Sequence, residues 1–138
     1  VILDVDYFKS VNDSYGHLVG DKVLSMLGKF LQGQFREDDI VGRIGGDEFV
    51  ILMRNISDRD KAEQRIHNLL KNLPEMKIEE MDNRSITISV GVALAPDNGN
   101  TFIELYRHAD QALYETKRGG RNGYSIYNPN WTENTTEE

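Results

Sequence analysis

Hydrophobic residues recur along the chain at two spacings, which predict which segments form strands and which form helices. The opening run VILDV is short and β-branched and ends in acids, so it predicts a buried strand with a site at its carboxyl end. Helical spacing over residues 23–31 and 62–73 predicts two helices, the second ending before a proline. The runs DIVGRI and EFVIL flank Gly45-Gly46-Asp47, which predicts a hairpin because glycine adopts positive φ at low cost.

The second half of the chain carries a different pattern. The run SITISVGVAL alternates strictly, which predicts a half-buried strand that forms the second arm of a hairpin turned at residues 82–83. Thr101 and Glu104 form a capping box and predict a helix that ends in basic residues followed by glycines. The run YSIY predicts a last strand, and residues 128–138 are polar and expected to fray.

The predicted order is strand, helix, hairpin, helix, hairpin, helix, strand. This order indicates an α+β fold, with an antiparallel-rich central sheet covered by helices. We expect residues 1–127 to form one domain and residues 128–138 to form a tail, since 138 residues suffice for a single core. Because the chain opens on Val1, inside an apolar segment, we expect it to be a piece of a longer protein.

Composition narrows the classes of partner. The absence of cysteine excludes disulfides and thiolate metal sites and fits a cytoplasmic location, although the parent protein could be anchored in a membrane. No apolar run approaches spanning length, so no direct membrane contact is expected of this segment. The net charge is −7, from 23 acids against 16 lysines and arginines, which argues against a nucleic-acid partner. A phosphate ligand would need a metal cation between it and the acids.

Four acids follow the first strand or lie at the hairpin tip. In such a sheet Asp4 and Asp6 would approach Asp47 and Glu48. Carboxylates gathered at one edge repel each other unless a cation lies among them, and Mg²⁺ or Mn²⁺ favours this set of oxygen ligands. Metals held there could bind a nucleoside triphosphate and promote attack on phosphorus. The other interpretation is that each acid is a solvated turn residue.

The stretch DYFKSVNDSYGHLVGD is equally rich in polar residues. Asp21 could accept hydrogen bonds from the N1 and N2 edge of guanine, and the Asn12 amide could pair with a donor and an acceptor together. Asp13 and Ser14 could equally cap or turn the chain, and His17 could simply begin a helix.

Two basic residues near the end of the last predicted helix allow two interpretations. Lys117 and Arg121 could mark an ordinary helix end, because cations and glycine are both favoured there. They could also hold phosphate, and the residues alone leave both interpretations open.

Residues 45–49 read GGDEF, and the chain resembles the GGDEF family of diguanylate cyclases. The match continues through DVDYFKSVNDSYGHLVGD, RIGGDEF, SVGVA and ADQALYETKRGGRN, in order and at similar spacing, as far as Tyr127. The resemblance implies a palm-like or nucleotidyl-cyclase-like fold with a ferredoxin-like core. It also implies condensation of two GTP molecules into cyclic di-GMP, with release of two pyrophosphates.

The resemblance implies a role for each matched residue. Asp4 and Asp47, with the backbone carbonyl of Val5, match the ligands of two divalent metal ions, Mg²⁺ or Mn²⁺. Asp47 also matches the acceptor of the 3′-hydroxyl proton, Glu48 lies beside it, and Lys9 matches the residue that stabilises phosphate charge. The residues that match contacts to the substrate are Phe8, Asn12, His17, Asp21, Gly45, Gly46, Lys117 and Arg121.

A second site is implied by the run REDD. Arg36 and Asp39 match the inhibitory RxxD site that binds cyclic di-GMP, because five residues separate Asp39 from Gly45. Arg65 is a possible match for a further arginine that the family draws from the neighbouring helix. Without the resemblance, REDD would be interpreted as a charged surface turn.

The resemblance also bears on assembly and leaves an alternative. It implies a homodimer in which each 3′-hydroxyl attacks the partner's α-phosphorus. Family members usually carry a helix and a D-x-L-T-x-L-x-N-R stretch before the first strand, so we expect an N-terminally truncated domain. The alternative is a catalytically silent module that binds GTP or cyclic di-GMP, and the intact acids favour the enzyme.

Overall fold

Five strands form one sheet in the computed structural model, which describes residues 1–56 and 58–131. Their order across the sheet is β2-β3-β1-β4-β5. The pairs β2–β3, β1–β3 and β1–β4 are antiparallel, and only β4–β5 is parallel. The prediction of an antiparallel-rich sheet is therefore confirmed. The strands are β1 (Ile2–Val5), β2 (Ile40–Gly45), β3 (Glu48–Leu52), β4 (Ile88–Val92) and β5 (Gly123–Ile126).

Four α-helices cover this sheet, and none of the described helices is long and apolar enough to cross a membrane. The helix start at Thr101 is confirmed, because the Thr101 hydroxyl accepts from the Glu104 N–H at 3.2 Å. The Glu104 carboxylate, however, accepts from the Asn100 N–H at 2.9 Å, one residue before the position that a full capping box uses. Two short 3₁₀ turns, Leu73–Glu75 and Glu79–Met81, precede β4. The α-helices are α1 (Phe8–Tyr15), α2 (His17–Gln34), α3 (Arg59–Asn72) and α4 (Phe102–Arg118).

The core is divided between the two faces of the sheet. One face packs against apolar residues of α1, α2 and α3, and this side holds most of the buried side chains, among them Leu3, Leu27 and Ile66. The other face packs against α4 through a smaller cluster that includes Ile2 and Leu113. Because side chains alternate along each strand, successive residues pack into the two clusters on opposite faces of the sheet.

The prediction for the SITISVGVAL segment was wrong in two respects. Strand β4 is buried on both faces, because its small residues lie against α4 instead of facing solvent. It is also not a hairpin arm, because its partners are β1 and β5. The turn at Asp82 and Asn83 exists, with both residues at positive φ, but it closes only the single bridge between Ile78 and Arg84.

Residues beyond the last strand contact the domain as far as the structure describes them. The Tyr127 ring stacks on His108 of α4 with 4.0 Å between ring centroids. Trp131 packs edge-on against Tyr127 at 5.8 Å. The fraying expected of residues 128–138 is thus not seen at Trp131, while residues 132–138 lie outside the described residues. The boundary at residue 127 stays a prediction.

Candidate active site

Asp4 lies at the centre of the candidate site because β1 is the middle strand of the sheet. Its Cα partners are Glu48 on β3 and Ser89 on β4. The Lys117 ammonium, from the last turn of α4, donates to Asp4 Oδ2 at 2.8 Å. The other oxygen, Oδ1, is buried and has no hydrogen-bond partner among the described residues. A buried carboxylate oxygen without a partner is costly, which marks this position as one where a cationic or donor ligand fits.

The β2–β3 hairpin brings its acids to Asp4. A register shift lies between Arg43 and Gly45, and Gly46 has φ +49. The Arg43 guanidinium donates to the Gly46 carbonyl at 2.8 Å and so ties the turn to the preceding strand. The positive φ of Gly46 allows this local geometry, which places Asp47 at the tip, one residue before β3.

The electrostatics of Asp4 reflect burial and neighbouring charge. Burial raises the pKa of Asp4, Lys117 opposes that shift, and the nearby carboxylates of Asp47 and Asp6 add to it. The net direction is upward even with a lysine in direct contact. Additional positive charge at this position would therefore favour the ionised form of Asp4.

Glu48 has a partner that the sequence did not reveal. The phenol of Tyr106, on α4, donates to Glu48 Oε1 at 2.7 Å. Burial, followed by this hydrogen bond, raises the pKa of Tyr106 to about 12, so the phenol remains a donor at neutral pH. The two residues are separated by 58 positions, and no local motif signals their contact. Tyr106 orients the second acid of the hairpin.

The prediction that Asp6 approaches the hairpin acids was wrong. Asp6 is buried and accepts from the hydroxyls of Thr87 at 2.7 Å and Ser89 at 2.6 Å. It also accepts from the Asn122 N–H at 3.0 Å. Donors beside β4 hold this side chain on the side of β1 that is away from β3. The alternation of polar and apolar residues in SITISV was the only sequence signal for these hydroxyls.

The predicted guanine-reading residues lie where α1 meets α2. Asn12 Oδ1 is buried without a hydrogen-bond partner in the described part of the chain. It lies directly over Gly20, where an added Cβ would be 1.8 Å from that oxygen and 3.2 Å from the Phe8 ring. Asp21 is exposed on α2 and directly follows Gly20. His17 is also exposed and lies three residues before Gly20. The structure thus leaves one buried polar atom and one exposed carboxylate near each other.

The predicted phosphate contacts are not all gathered at the acids. Lys117 contacts Asp4, whereas the Arg121 guanidinium lies 5.1 Å from the centroid of the Tyr7 ring. Lys9 is largely exposed and pairs with Asp13 of its own helix at 3.0 Å. Contact between Lys9 and the acids would therefore require a different rotamer of its side chain.

Mg²⁺ or Mn²⁺ fits the donors that the structure assembles. Asp4 offers an unpaired carboxylate oxygen, Asp47 is close enough to act on it, and Val5 follows Asp4 at the end of β1. These are the oxygen ligands that hard divalent cations prefer. Residues 1–56 and 58–131 contain no group of three or more His, Cys, Asp or Glu side chains that could hold a metal ion by itself. A metal here would therefore take ligands from carbonyl oxygen, water or substrate in addition to the two aspartates.

The RxxD segment is internally bonded. Asp39 accepts from the Arg54 N–H at 2.9 Å, the Arg65 guanidinium at 2.8 Å and the Arg36 N–H at 2.8 Å. Burial opposes ionisation of Asp39, but these three donors hold its pKa below the usual range. The Arg36 side chain, in contrast, is exposed. Arg65 therefore does lie beside Asp39, and the exposed cation of this segment is Arg36.

Comparisons with known proteins place this geometry in a family. The family model described as "Diguanylate cyclase, GGDEF domain" matches residues 1–123. The probable diguanylate cyclase DgcT of Escherichia coli K12 is 40% identical over 124 residues, which cover 88% of the chain and 27% of DgcT. The cyclic di-GMP phosphodiesterase PdeR of the same organism is 35% identical over 99% of the chain and 21% of its own length.

Solved structures agree with the fold. The GGDEF domain of TpbB from Pseudomonas aeruginosa superposes with a TM-score of 0.87 at 33% identity, covering 94% of the chain and 76% of that domain's chain. The GGDEF domain of DgcB from Caulobacter crescentus was solved in complex with cyclic di-GMP. It superposes with a TM-score of 0.78 at 27% identity, covering 91% of the chain and 74% of the DgcB chain.

Fold and sequence together define a palm-type α+β domain. The chain belongs to the GGDEF family of diguanylate cyclase domains. It spans only about a fifth to a third of the length of the curated relatives it matches.

Proposed function

We propose that this domain condenses two GTP molecules into cyclic di-GMP and releases two pyrophosphates. The observation that carries the proposal is the arrangement around Asp4: a buried carboxylate oxygen without a partner, a lysine on the other oxygen, and the hairpin acid Asp47 alongside. A solvated turn acid would need none of these three features. Family membership makes nucleotidyl transfer the reaction that such a set would serve.

The catalytic roles follow from these positions. Asp4, Asp47 and the Val5 carbonyl would hold two divalent ions, Mg²⁺ or Mn²⁺, which when bound supply charge neutralisation to the triphosphate and Lewis acidity. Asp47, at the exposed tip, accepts the 3′-hydroxyl proton, and Glu48 is held beside it by Tyr106. Lys117 donates to Asp4 and opposes the upward effect of burial on the pKa of that carboxyl. Lys9, at the start of α1, would leave its exposed pairing with Asp13 and stabilise phosphate charge in the transition state.

Base recognition comes from the junction of α1 and α2. Asn12 and Asp21 accept from the donor edge of guanine, and Phe8 and His17 flank them. Adenine presents neither an N1 nor an N2 donor, so its binding would leave these oxygens unpaired. The buried, partnerless Asn12 Oδ1 supports this assignment.

Turnover requires two domains that face each other, because one domain holds one GTP and the attacking hydroxyl belongs to the other. Gly45 and Gly46 keep the tip of the hairpin free of side chains, and an added Cβ at either glycine would meet no described atom within 4 Å. The partner's nucleotide could therefore approach the acids closely at this point.

Pyrophosphate release tests the proposal. With Mg²⁺ and a high protein concentration, GTP should yield pyrophosphate, and ATP should yield at least about tenfold less, because of the unpaired acceptors described above. The rate should rise more steeply than linearly with protein concentration, since a dimer is the active form. Equal rates with the two nucleotides would contradict the assignment of Asn12 and Asp21.

Product inhibition through the RxxD segment is the second part of the proposal. Arg36 is exposed, so its replacement by alanine should leave the fold and the initial rate intact while weakening inhibition by cyclic di-GMP. We expect about a tenfold rise in the inhibitory concentration, because a charge-assisted contact to the product is lost. The measurement is the initial rate against added cyclic di-GMP.

Arg84→Ala is the matched control for this experiment, since Arg84 is also exposed but belongs to the bridge after the 3₁₀ turns. Asp39→Ala would be a poorer choice because it removes three hydrogen bonds from the fold. Unchanged inhibition of Arg36→Ala by cyclic di-GMP would contradict the assignment of this site.

A silent receptor for GTP or cyclic di-GMP is the second candidate function. The similarity to PdeR favours it, because that relative is named for a different activity and yet matches 99% of the chain. A receptor would bind cyclic di-GMP through Arg36 and show no metal-dependent release of pyrophosphate.

A further inference from the structure

Tyr7 adopts an unusual conformation at the turn between β1 and α1. Its φ is +58, in the left-handed region that bulky side chains rarely adopt. The residue is 65% exposed, so packing in the core does not compensate for that backbone cost. Strained backbone conformations of this kind cluster at functional sites.

The Tyr7 ring contacts a charged side chain. The Arg121 guanidinium lies 5.1 Å from the ring centroid, within the range of a cation–π contact. Arg121 itself has φ +66, and Asn122 after it has φ +50. Two consecutive left-handed residues therefore present the guanidinium to the ring across the gap between the β1–α1 turn and the α4–β5 turn.

Asp6, the residue before Tyr7, also connects these two turns. Its carboxylate accepts the Asn122 N–H at 3.0 Å, while the Thr87 and Ser89 hydroxyls fix the carboxylate itself. The Arg121 N–H donates to the Thr116 carbonyl at 3.0 Å and so ties the turn to the end of α4. The backbone of the α4–β5 turn is thus held at two points, and only the long Arg121 side chain needs a further restraint.

We propose that Tyr7 is a positioning residue for Arg121, holding its guanidinium over the start of α1 for contact with the triphosphate. The inference rests on the proposed function, in which the substrate is a nucleoside triphosphate, and on the prediction from the sequence that Arg121 contacts its phosphates. Arginine has many rotamers, and a ring that restricts them lowers the entropy lost on binding an anion. The ring carries out this task through its face, so the phenol hydroxyl is not required.

Two variants distinguish the effect of the Tyr7 ring from the effect of its backbone conformation. Tyr7→Phe keeps the aromatic face, and Tyr7→Leu removes it, while both place a bulky residue at the same left-handed φ and so share its cost. Binding is measured with 3′-deoxy-GTP and Mg²⁺, since this nucleotide lacks the attacking hydroxyl and cannot react. Cyclic di-GMP formation from GTP is assayed separately on the wild-type protein, so that a failure of the proposed function is recognised independently.

We expect Tyr7→Leu to weaken binding about two- to fivefold, as befits an exposed cation–π contact, and Tyr7→Phe to bind like the wild type. In the background of Arg121→Ala the Leu and Phe variants should bind equally, because the ring then has no guanidinium to hold. Unfolding midpoints in urea should show both Tyr7 variants fully folded under the conditions of the binding measurement. Equal binding by Tyr7→Leu and Tyr7→Phe in the presence of Arg121 would overturn the inference, and so would a difference that persists in Arg121→Ala.

Discussion

Replacing Asp47 by alanine is expected to abolish cyclic di-GMP formation, with a loss of about a thousandfold or more in turnover. Asp47 is the tip acid that lies near Asp4, and its loss removes both the proton acceptor and one of the two aspartates available to divalent ions. Because Asp47 raises the pKa of Asp4, the variant should also have a slightly more acidic Asp4. The measurement is product formed per protein by chromatography.

The control for this experiment is Asp60→Asn, which alters an exposed acid in the first turn of α3, outside the hairpin. Its turnover should equal that of the wild type. Binding of cyclic di-GMP should survive in Asp47→Ala, since Arg36 and Asp39 are untouched. Turnover by Asp47→Ala within about tenfold of the wild type would contradict the role given to the hairpin tip.

Replacing Gly91 by alanine is expected to reduce the free energy of unfolding by about 3 kcal/mol or more. Gly91 lies in the middle of β4, and an added Cβ would lie 2.1 Å from the Ala109 carbonyl oxygen and 2.3 Å from the Leu113 nitrogen. Both atoms belong to the backbone of α4, so relief requires the whole helix to move. That helix also carries Lys117 and Tyr106, and their contacts to Asp4 and Glu48 should loosen together.

Gly42→Ala is the matched control for Gly91→Ala, because Gly42 is also a strand glycine and has no atom within 4 Å of an added Cβ. Its stability should stay within about 0.5 kcal/mol of the wild type. Urea unfolding measures both variants. A Gly91→Ala protein as stable as Gly42→Ala would show that α4 does not pack on β4 as described.

The sequence predicted most of the elements that depend on local patterns of residues. The paired glycines signalled the hairpin, because few other residues adopt positive φ cheaply, and the period of 3.6 signalled α2 and α3. The environment of β4 could not be read in the same way. A face of Ser89, Gly91 and Ala93 is equally consistent with solvent and with a closely packed helix, and only the tertiary structure decides between the two.

In the candidate site, too, local patterns predicted some residues and not others. The motif residues were found because they cluster in the sequence, but their supporting partners come from distant segments. Tyr106 contacts Glu48 across 58 positions, and Asn122 contacts Asp6 across 116. Such contacts have no sequence period. They are set by how α4 lies across the sheet, which in turn depends on Gly91.

The measurement that tests the central claim most directly is the identity of the product formed from GTP. The purified domain, at high concentration with Mg²⁺ and GTP, should yield cyclic di-GMP, with two pyrophosphates released for each molecule, as measured by chromatography and mass. Saturable binding of GTP and metal without any cyclic di-GMP would contradict the assignment of this acid cluster to nucleotidyl transfer.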